Sequence, residues 1–429
     1  MSGVLTDTRS AELYARALEL LPGGVNSPVR AMRAIGRDPV FVARGQGAEL
    51  VDVDGNSYVD YVCSWGPLVH GHAHPEILSA VAEAAQAGTT FGAPTEGEVE
   101  LAAEVAARMP SVEMLRMTSS GTEAAMSAVR LARAATGRET VLKFAGAYHG
   151  HFDGLLAEAG SGLATQGIPS SPGVPAAATA ATVVVPWNDR EALHAATERH
   201  ELAAILAEPY PANMGLVPPE EGFLELLRAR ADATGALLVF DEVITGFRVA
   251  RGGAQELAGI LPDLTVMGKV IGGGLPAAAY GGSRALMELI APAGAVYQAG
   301  TLSGNPLAVA AGRATLALLD ADAYARLETI TERLAAGLRE AAASTGCPVL
   351  VTTAPGLLTV FFAAGPVRDY AQASACDRAA HAAWCRALLA RGVYPPPSQF
   401  EAWFPSLAHD EAHVERTVTA AAEAFAEIG

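Results

Sequence analysis

The stretch over residues 237–274 restricts the fold more than any other part of the chain. Leu237, Leu238, Val239 and Phe240 make an unbroken apolar run that ends in Asp241 and Glu242. A short run without polar alternation reads as a strand buried on both faces, the habit of parallel sheets covered by helices. A second apolar run, Leu264–Met267, ends in Gly268 and Lys269, with Gly272, Gly273 and Gly274 close behind. About one strand–helix–strand unit separates acid from lysine, so both can stand on one sheet edge. Ligands of open α/β sheets sit beyond the carboxyl ends of the strands, which is where this pair falls. Glycines beside a lysine leave room for a bulky group to approach its amine. Pyridoxal phosphate needs such a pair. An amine holds it as a Schiff base, and a carboxylate pairs with its ring nitrogen, whose protonated form draws electrons from a substrate carbanion. Either residue alone reads equally well as a helix cap or a solvated surface charge. The combination is what points to the cofactor.

Other segments supply parts for such a site. Residues 113–118 read as a strand running into Ser119, Ser120, Gly121, Thr122 and Glu123, with a helix over 124–135. A hydroxyl-rich turn at a helix N-terminus offers N–H groups and a positive dipole end to an anion. The same residues also spell a capping box, Ser120 with Glu123, and the two readings are compatible. Tyr148 follows the strand at 141–144, where an aromatic ring can stack on a flat cofactor or pack into the core. Thr301, in a glycine-flanked turn, offers one more phosphate donor. Pro28 forces Ser27 out of helix, so residues 25–30 form an extended loop. In that loop Arg30 is suited to a two-pronged grip on a carboxylate, or is simply solvated. Residues 153–180, rich in Gly, Ser, Pro and Ala, read as a lid over the site or as a disordered insertion.

Strands at 182–186 and 203–208, alternating with helices, make the main sheet mostly parallel. Residues 41–61 read as a β-hairpin turning at Asp54-Gly55. The expected division is 1–64 as the N-terminal segment of a small domain, 65–320 as the large domain and 321–429 as the rest of the small one. His70, His72 and His74 invite a metal reading, but the carboxylates that complete such sites are lacking nearby, and no metal is expected. Cys63, Cys347, Cys376 and Cys385 show no metal spacing; Cys376 and Cys385 fall in one expected helix, and reduced cytosolic thiols are the simplest account. The net charge of −17 argues against nucleic acid and anionic membranes as partners. The opening residues have neither a basic start nor an apolar core, so no signal peptide is expected, and the location expected is cytoplasmic. No apolar run reaches the length of a membrane span.

The motifs GGVNSPVR, SWGPLVHGHAHP, SSGTEAAMSAVRLAR, YHGH, GIPSSPGVP, DEVITGFR, GKVIGGG, YQAGTLSGNP and SQFEAWF, taken together, resemble the glutamate-1-semialdehyde 2,1-aminomutases. That family lies within the class III, fold-type I pyridoxal-phosphate aminotransferases. The resemblance implies an α/β fold, with a mainly parallel mixed sheet between helices and a smaller α+β domain. It implies pyridoxal 5′-phosphate and pyridoxamine 5′-phosphate as cofactor forms, and glutamate 1-semialdehyde as the small-molecule substrate, turned into 5-aminolevulinate. Lys269 is implied as the cofactor's anchor and proton carrier, and Asp241 as the partner of its ring nitrogen. Ser120, Gly121 and Thr122 are implied for the phosphate, Tyr148 for a ring face, and Asn213 beside the ring. Thr301 is implied to reach the phosphate of the partner subunit in a homodimer. Ser27 and Arg30 are implied for the substrate carboxylate, with Trp65 and Glu401 lining the pocket. Docking of the upstream reductase is a further implied contact. Ala145, Tyr210-Pro211-Ala212 and His70 depart from the family pattern. A class III ω-amino-acid or β-amino-acid transaminase, using a separate keto-acid acceptor, shares Lys269, Asp241 and the phosphate turn and is the alternative.

Overall fold

The computed structural model describes residues 6–158, 165–166 and 168–428. Three short strands follow the first helix: β1 (Val42–Gln46), β2 (Glu49–Asp52) and β3 (Ser57–Asp60). The β2–β3 turn closes at Gly55, whose φ of 89° suits glycine, and Asp52 Oδ1 accepts the Asn56 N–H. Helix Thr8–Leu20 docks on this turn, where the Asp54 carboxylate accepts the N–H groups of Arg9 and Ser10.

The main sheet is built from β4 (Met114–Thr118), β5 (Thr140–Phe144), β6 (Thr182–Val185), β7 (Leu202–Ala207), β8 (Leu237–Glu242), β9 (Leu264–Met267) and β10 (Ala278–Gly282). Its spatial order is β4-β10-β9-β8-β7-β5-β6, with the two-residue strand Thr165–Gln166 on the outer edge. Neighbours pair in parallel except at β10 and at that edge. β7 is buried along its whole length, and β8 from Leu238 onward. Helix Gly121–Thr136 covers one face and helices Arg190–Arg199 and Phe223–Thr234 the other, through two separate apolar clusters. Because β4, β5, β7, β8 and β9 run the same way, their carboxyl ends share one edge.

The last strand, β11 (Val393–Tyr394), pairs in parallel with β3, so the two ends of the chain share one small sheet. Tyr58, Tyr61, Trp384, Trp403 and Phe425 fill the core between it and the helices Ala321–Thr345, Arg378–Ala390 and Glu411–Ile428. One expectation fails here. Cys376 and Cys385 do not share a helix. A short helix, Tyr370–Ala375, stops before Cys376, and the next begins at Arg378 because the Asp377 carboxylate caps it, accepting the N–H groups of Ala379 and Ala380. Among the described residues no helix is long and apolar enough to cross a membrane.

Candidate active site

The carboxyl ends of β4, β5, β7, β8 and β9 deliver Ser120, Tyr148, Glu208, Asp241 and Lys269 to one edge. At the end of β4, Ser120 caps helix Gly121–Thr136: its Oγ accepts the Glu123 N–H at 3.3 Å, while Glu123 Oε2 takes the N–H groups of Ser119 and Ser120. The capping box therefore satisfies the turn's flanks and leaves the helix N-terminus to an anion. Gly150 lies directly against this turn: a methyl group built on it would sit 2.5 Å from Thr122 Oγ1.

Val243 draws the turn, the acid and the lysine together. A methyl group built on either Gly121 or Gly268 would lie 3.2 Å from a Val243 methyl carbon. The glycines thus let the phosphate-type turn and the lysine loop close on the two sides of the residue that follows Asp241-Glu242. Lys269 sits just past β9 at φ 48°, a left-handed conformation that costs an ordinary residue about 1–2 kcal/mol. Gly66 backs its side chain, for a Cβ there would lie 3.4 Å from Lys269 Cδ and 2.8 Å from the Phe404 ring.

Asp241 is 6 % exposed and Glu242 fully buried. Asp241 Oδ2 accepts the Nδ1–H of buried His149 at 2.7 Å, and Oδ1 accepts the Val243 N–H at 3.1 Å. His149 Nε2 is buried and unpaired. Glu242 points the other way, into Thr245 Oγ1, the N–H groups of Ala254 and Gln255, and Gln255 Nε2. Of the acidic pair, then, Asp241 faces the site and Glu242 caps the next helix. Glu208, 4 % exposed, occupies the matching place at the end of β7: Oε1 accepts the Tyr148 N–H, and Oε2 accepts the Ala212 N–H and Asn213 Nδ2.

Burial lowers the Lys269 amine below the ordinary lysine range, against the opposing pull of Glu401, Asp241 and Glu208. Burial raises Glu401 to about 7, with the Lys269 charge working against it. Burial also raises Glu208, the His149 charge opposing. Tyr148, half exposed, has its hydroxyl raised by burial, with Thr122 as a hydrogen-bonding neighbour.

Ser120, Gly121, Thr122, Tyr148, Asn213, Asp241 and Lys269 are thus brought together, and Glu401 and the Trp65–Gly66 turn join them. Thr301 is not. It is exposed in the turn after Gly300 and forms no hydrogen bond with the site among the described residues. The expected extended loop over 25–30 stops at Ser27, because Pro28–Ala31 form a 3-10 turn that carries exposed Arg30, and neither the Ser27 nor the Arg30 side chain bonds to the site among the described residues. Residues 159–164 and 167, part of the expected lid, lie outside the described residues. Tyr210 packs against the cluster of Phe404, Ile244 and Leu216, and His70 Nε2–H donates to the Thr315 carbonyl at 3.0 Å, so two of the departures from the family pattern have structural places. His72 Nε2–H is taken by Asp60. Sequence reasoning missed His149 and Glu208 as site residues. Both were within reach: Glu208 ends a buried strand as Asp241 does, and His149 follows Tyr148 in the same strand-end loop.

The family model for class III aminotransferases matches residues 32–402. A glutamate-1-semialdehyde 2,1-aminomutase from Roseiflexus castenholzii is 59 % identical over 98 % of both chains. The chain belongs to the class III aminotransferases. Among solved structures, an omega-transaminase from Sphaerobacter thermophilus is similar at a TM-score of 0.91, with 36 % identity over 97 % of each chain. A glutamate-1-semialdehyde aminomutase from Pseudomonas aeruginosa, in complex with PMP, matches at a TM-score of 0.89 with 30 % identity, over 98 % of this chain and 95 % of the other. The fold-type I α/β architecture and the pyridoxal-phosphate cofactor follow from this membership.

Proposed function

We propose that the chain moves an amino group within one substrate, converting (S)-4-amino-5-oxopentanoate (glutamate 1-semialdehyde) to 5-aminolevulinate in tetrapyrrole (porphyrin) biosynthesis. The observation that carries the reading is the meeting of Lys269, Asp241 and an open helix N-terminus on one sheet edge, in a chain whose near full-length relatives bear the aminomutase name. Bound here, pyridoxal phosphate supplies an electron-withdrawing ring and an exchangeable amine.

The chain's own residues do the rest. Lys269 Nζ anchors the cofactor and carries protons, for which a lowered pKa suits it. Asp241, held on one oxygen by His149 and on the other by the Val243 N–H, is fixed in place as the carboxylate partner of the ring nitrogen. Ser120, Gly121 and Thr122 hold the phosphate at the helix N-terminus. Tyr148 covers a ring face, and Asn213, fixed by Glu208, stands beside it. Trp65 lines the pocket with Glu401, and a half-buried Glu401 repels a second substrate carboxylate once ionised. Ser27 and Arg30 take the substrate carboxylate. Residues 153–180 close over the site, which keeps a reactive intermediate from escaping.

The chain works as a homodimer, with Thr301 reaching the partner's phosphate turn. Supporting this, Leu78, Phe91, Val99, Tyr297 and Leu302 are large apolar side chains left exposed, and helix Pro306–Ala317 packs against both helices that carry Leu78 and Val99. The proposal extends to the division at residues 64 and 320, to a cytoplasmic location, for which four free cysteines speak, and to docking of the upstream reductase.

A two-substrate transaminase is the second reading, favoured by the omega-transaminase among the similar structures. One assay separates them. Purified protein given glutamate 1-semialdehyde and no amino donor forms 5-aminolevulinate under the first reading. Strict dependence on an added amino acid overturns it.

A further inference from the structure

β5 carries a lysine that the chemistry above does not use. Lys143 is 4 % exposed, and no carboxylate is within ion-pair distance of it among the described residues. Its Nζ donates instead to the carbonyls of Ala147 at 3.1 Å, Leu155 at 3.0 Å and Ala157 at 3.5 Å. Just past the neighbouring strand β7, Glu208 is equally buried and forms no ion pair among the described residues. Its Oε1 accepts the Tyr148 N–H at 2.9 Å. One peptide group, Ala147–Tyr148, is therefore held at its oxygen by a buried ammonium and at its N–H by a buried carboxylate.

We propose that Lys143 and Glu208 work as a pair through this peptide group, as positioning residues that fix Tyr148 over the cofactor ring and tie it to the root of the loop that follows. The inference rests on the role given to Tyr148 above. Buried ions without direct partners are costly to keep, so their retention on adjacent strands calls for a reason. The peptide dipole between them supplies one: each charge polarises the group the other binds, and the two bonds strengthen together. Burial lowers the Lys143 amine to about 8, with Glu208 the foremost charge acting against that fall. The clamp reaches further along the chain. His149, the next residue, gives its Nδ1–H to Asp241, and Leu155 and Ala157 lead into the segment that follows.

The test uses the full chain loaded with pyridoxal phosphate, in four forms: parent, Lys143→Met, Glu208→Gln and the double variant. Amide hydrogen exchange at Tyr148 and the visible circular dichroism of the bound ring are the readouts. Each single change raises Tyr148 exchange by about tenfold and weakens the dichroism, and the double change adds little to the worse single one, because both break one clamp. Lys143→Arg, which keeps the charge, retains most of the parent signal. Effects that multiply in the double variant, or a folded Lys143→Met protein with parental exchange at Tyr148, overturn the proposal. Should Lys143→Met not fold, Lys143→Gln, which removes the charge but keeps a hydrogen-bonding amide, replaces it in both the single and the double variant. Exchange does not depend on turnover, so a negative donor-free assay would sink the aminomutase reading and leave the clamp standing.

Discussion

Replacing Gly150 with alanine tests how closely the phosphate turn is packed. Gly150 has φ 88°, and an added methyl group would lie 2.5 Å from Thr122 Oγ1, 2.6 Å from its Cα and 2.8 Å from its Cβ. Two separate costs follow. The left-handed backbone charges alanine about 1–2 kcal/mol wherever it occurs. The overlap adds about 1–3 kcal/mol of overpacking, because one contact is a backbone atom that cannot rotate away. The first cost is the same with or without cofactor and shows only as lost stability. The second is relieved when the Thr122 turn moves off and returns when the phosphate pulls the turn back. The dissociation constant for pyridoxal phosphate should therefore rise about 5- to 150-fold. Gly55→Ala separates the two costs, for Gly55 has φ 89° and nothing within 4 Å. It should lose a similar backbone increment in calorimetry and leave cofactor affinity alone. A Gly150→Ala protein with affinity within twofold of the parent, or a Gly55→Ala protein weakened equally, would refute the placement of the phosphate on this turn.

Asp241→Asn keeps the shape and removes the charge that faces the ring nitrogen. Loss of one partner from a buried charge pair costs about 3 kcal/mol or more, so turnover should fall at least ~100-fold, and a loss under tenfold in steady-state kinetics would count against the role. Glu401→Gln should change the pH dependence of stability in the cofactor-free protein. The folded carboxyl titrates near 7 against 4.5 for an unburied one, so the folded state keeps its proton longer and Glu401 drains stability as pH rises from about 4.5 to 7. The variant should gain on the parent across that window, by order of 2 kcal/mol given partial exposure, and stay level above it; thermal melts at stepped pH decide, and a constant difference at all pH values would go against it.

Much of the site was legible because it sits on strand ends. Uninterrupted apolar runs mark buried parallel strands, and the residue after each run is forced to the shared edge, which is how Asp241 and Lys269 could be found. The hydroxyl turn at Ser120 was readable for a similar reason, since a cap and an anion site use the same donors. The partners of Asp241 were hidden. Nothing local says that His149, rather than Tyr148, turns inward, because that depends on β8 lying two strands away from β5, across β7. The role of Val243 was equally hidden, since it arises from glycines on two other loops. The split of Asp241 from Glu242 follows strand alternation once β8 is known to run through both. The helix placed across Cys376 and Cys385 failed because Asp377 is a better cap than a helix interior, a signal present in the sequence.

The charge on Lys269 is decided by two opposed effects, and their coupling matters more than either alone. Three carboxylates act to hold its proton, yet burial prevails and the amine lies below the usual range. Two of those acids are already engaged, Asp241 by His149 and the Val243 N–H, and Glu208 by three donors, so part of their charge is answered elsewhere. Glu401 is the acid whose titration feels Lys269 most directly, and it titrates near 7. As pH falls, Glu401 takes a proton and stops supporting the lysine's charge, which lowers the lysine pKa further. The fall in pH that should protonate the amine thus removes one of the charges that would hold the proton there. A fall in pH therefore charges Lys269 less readily than it would if Glu401 stayed ionised, which suits a group that must give up and take back protons.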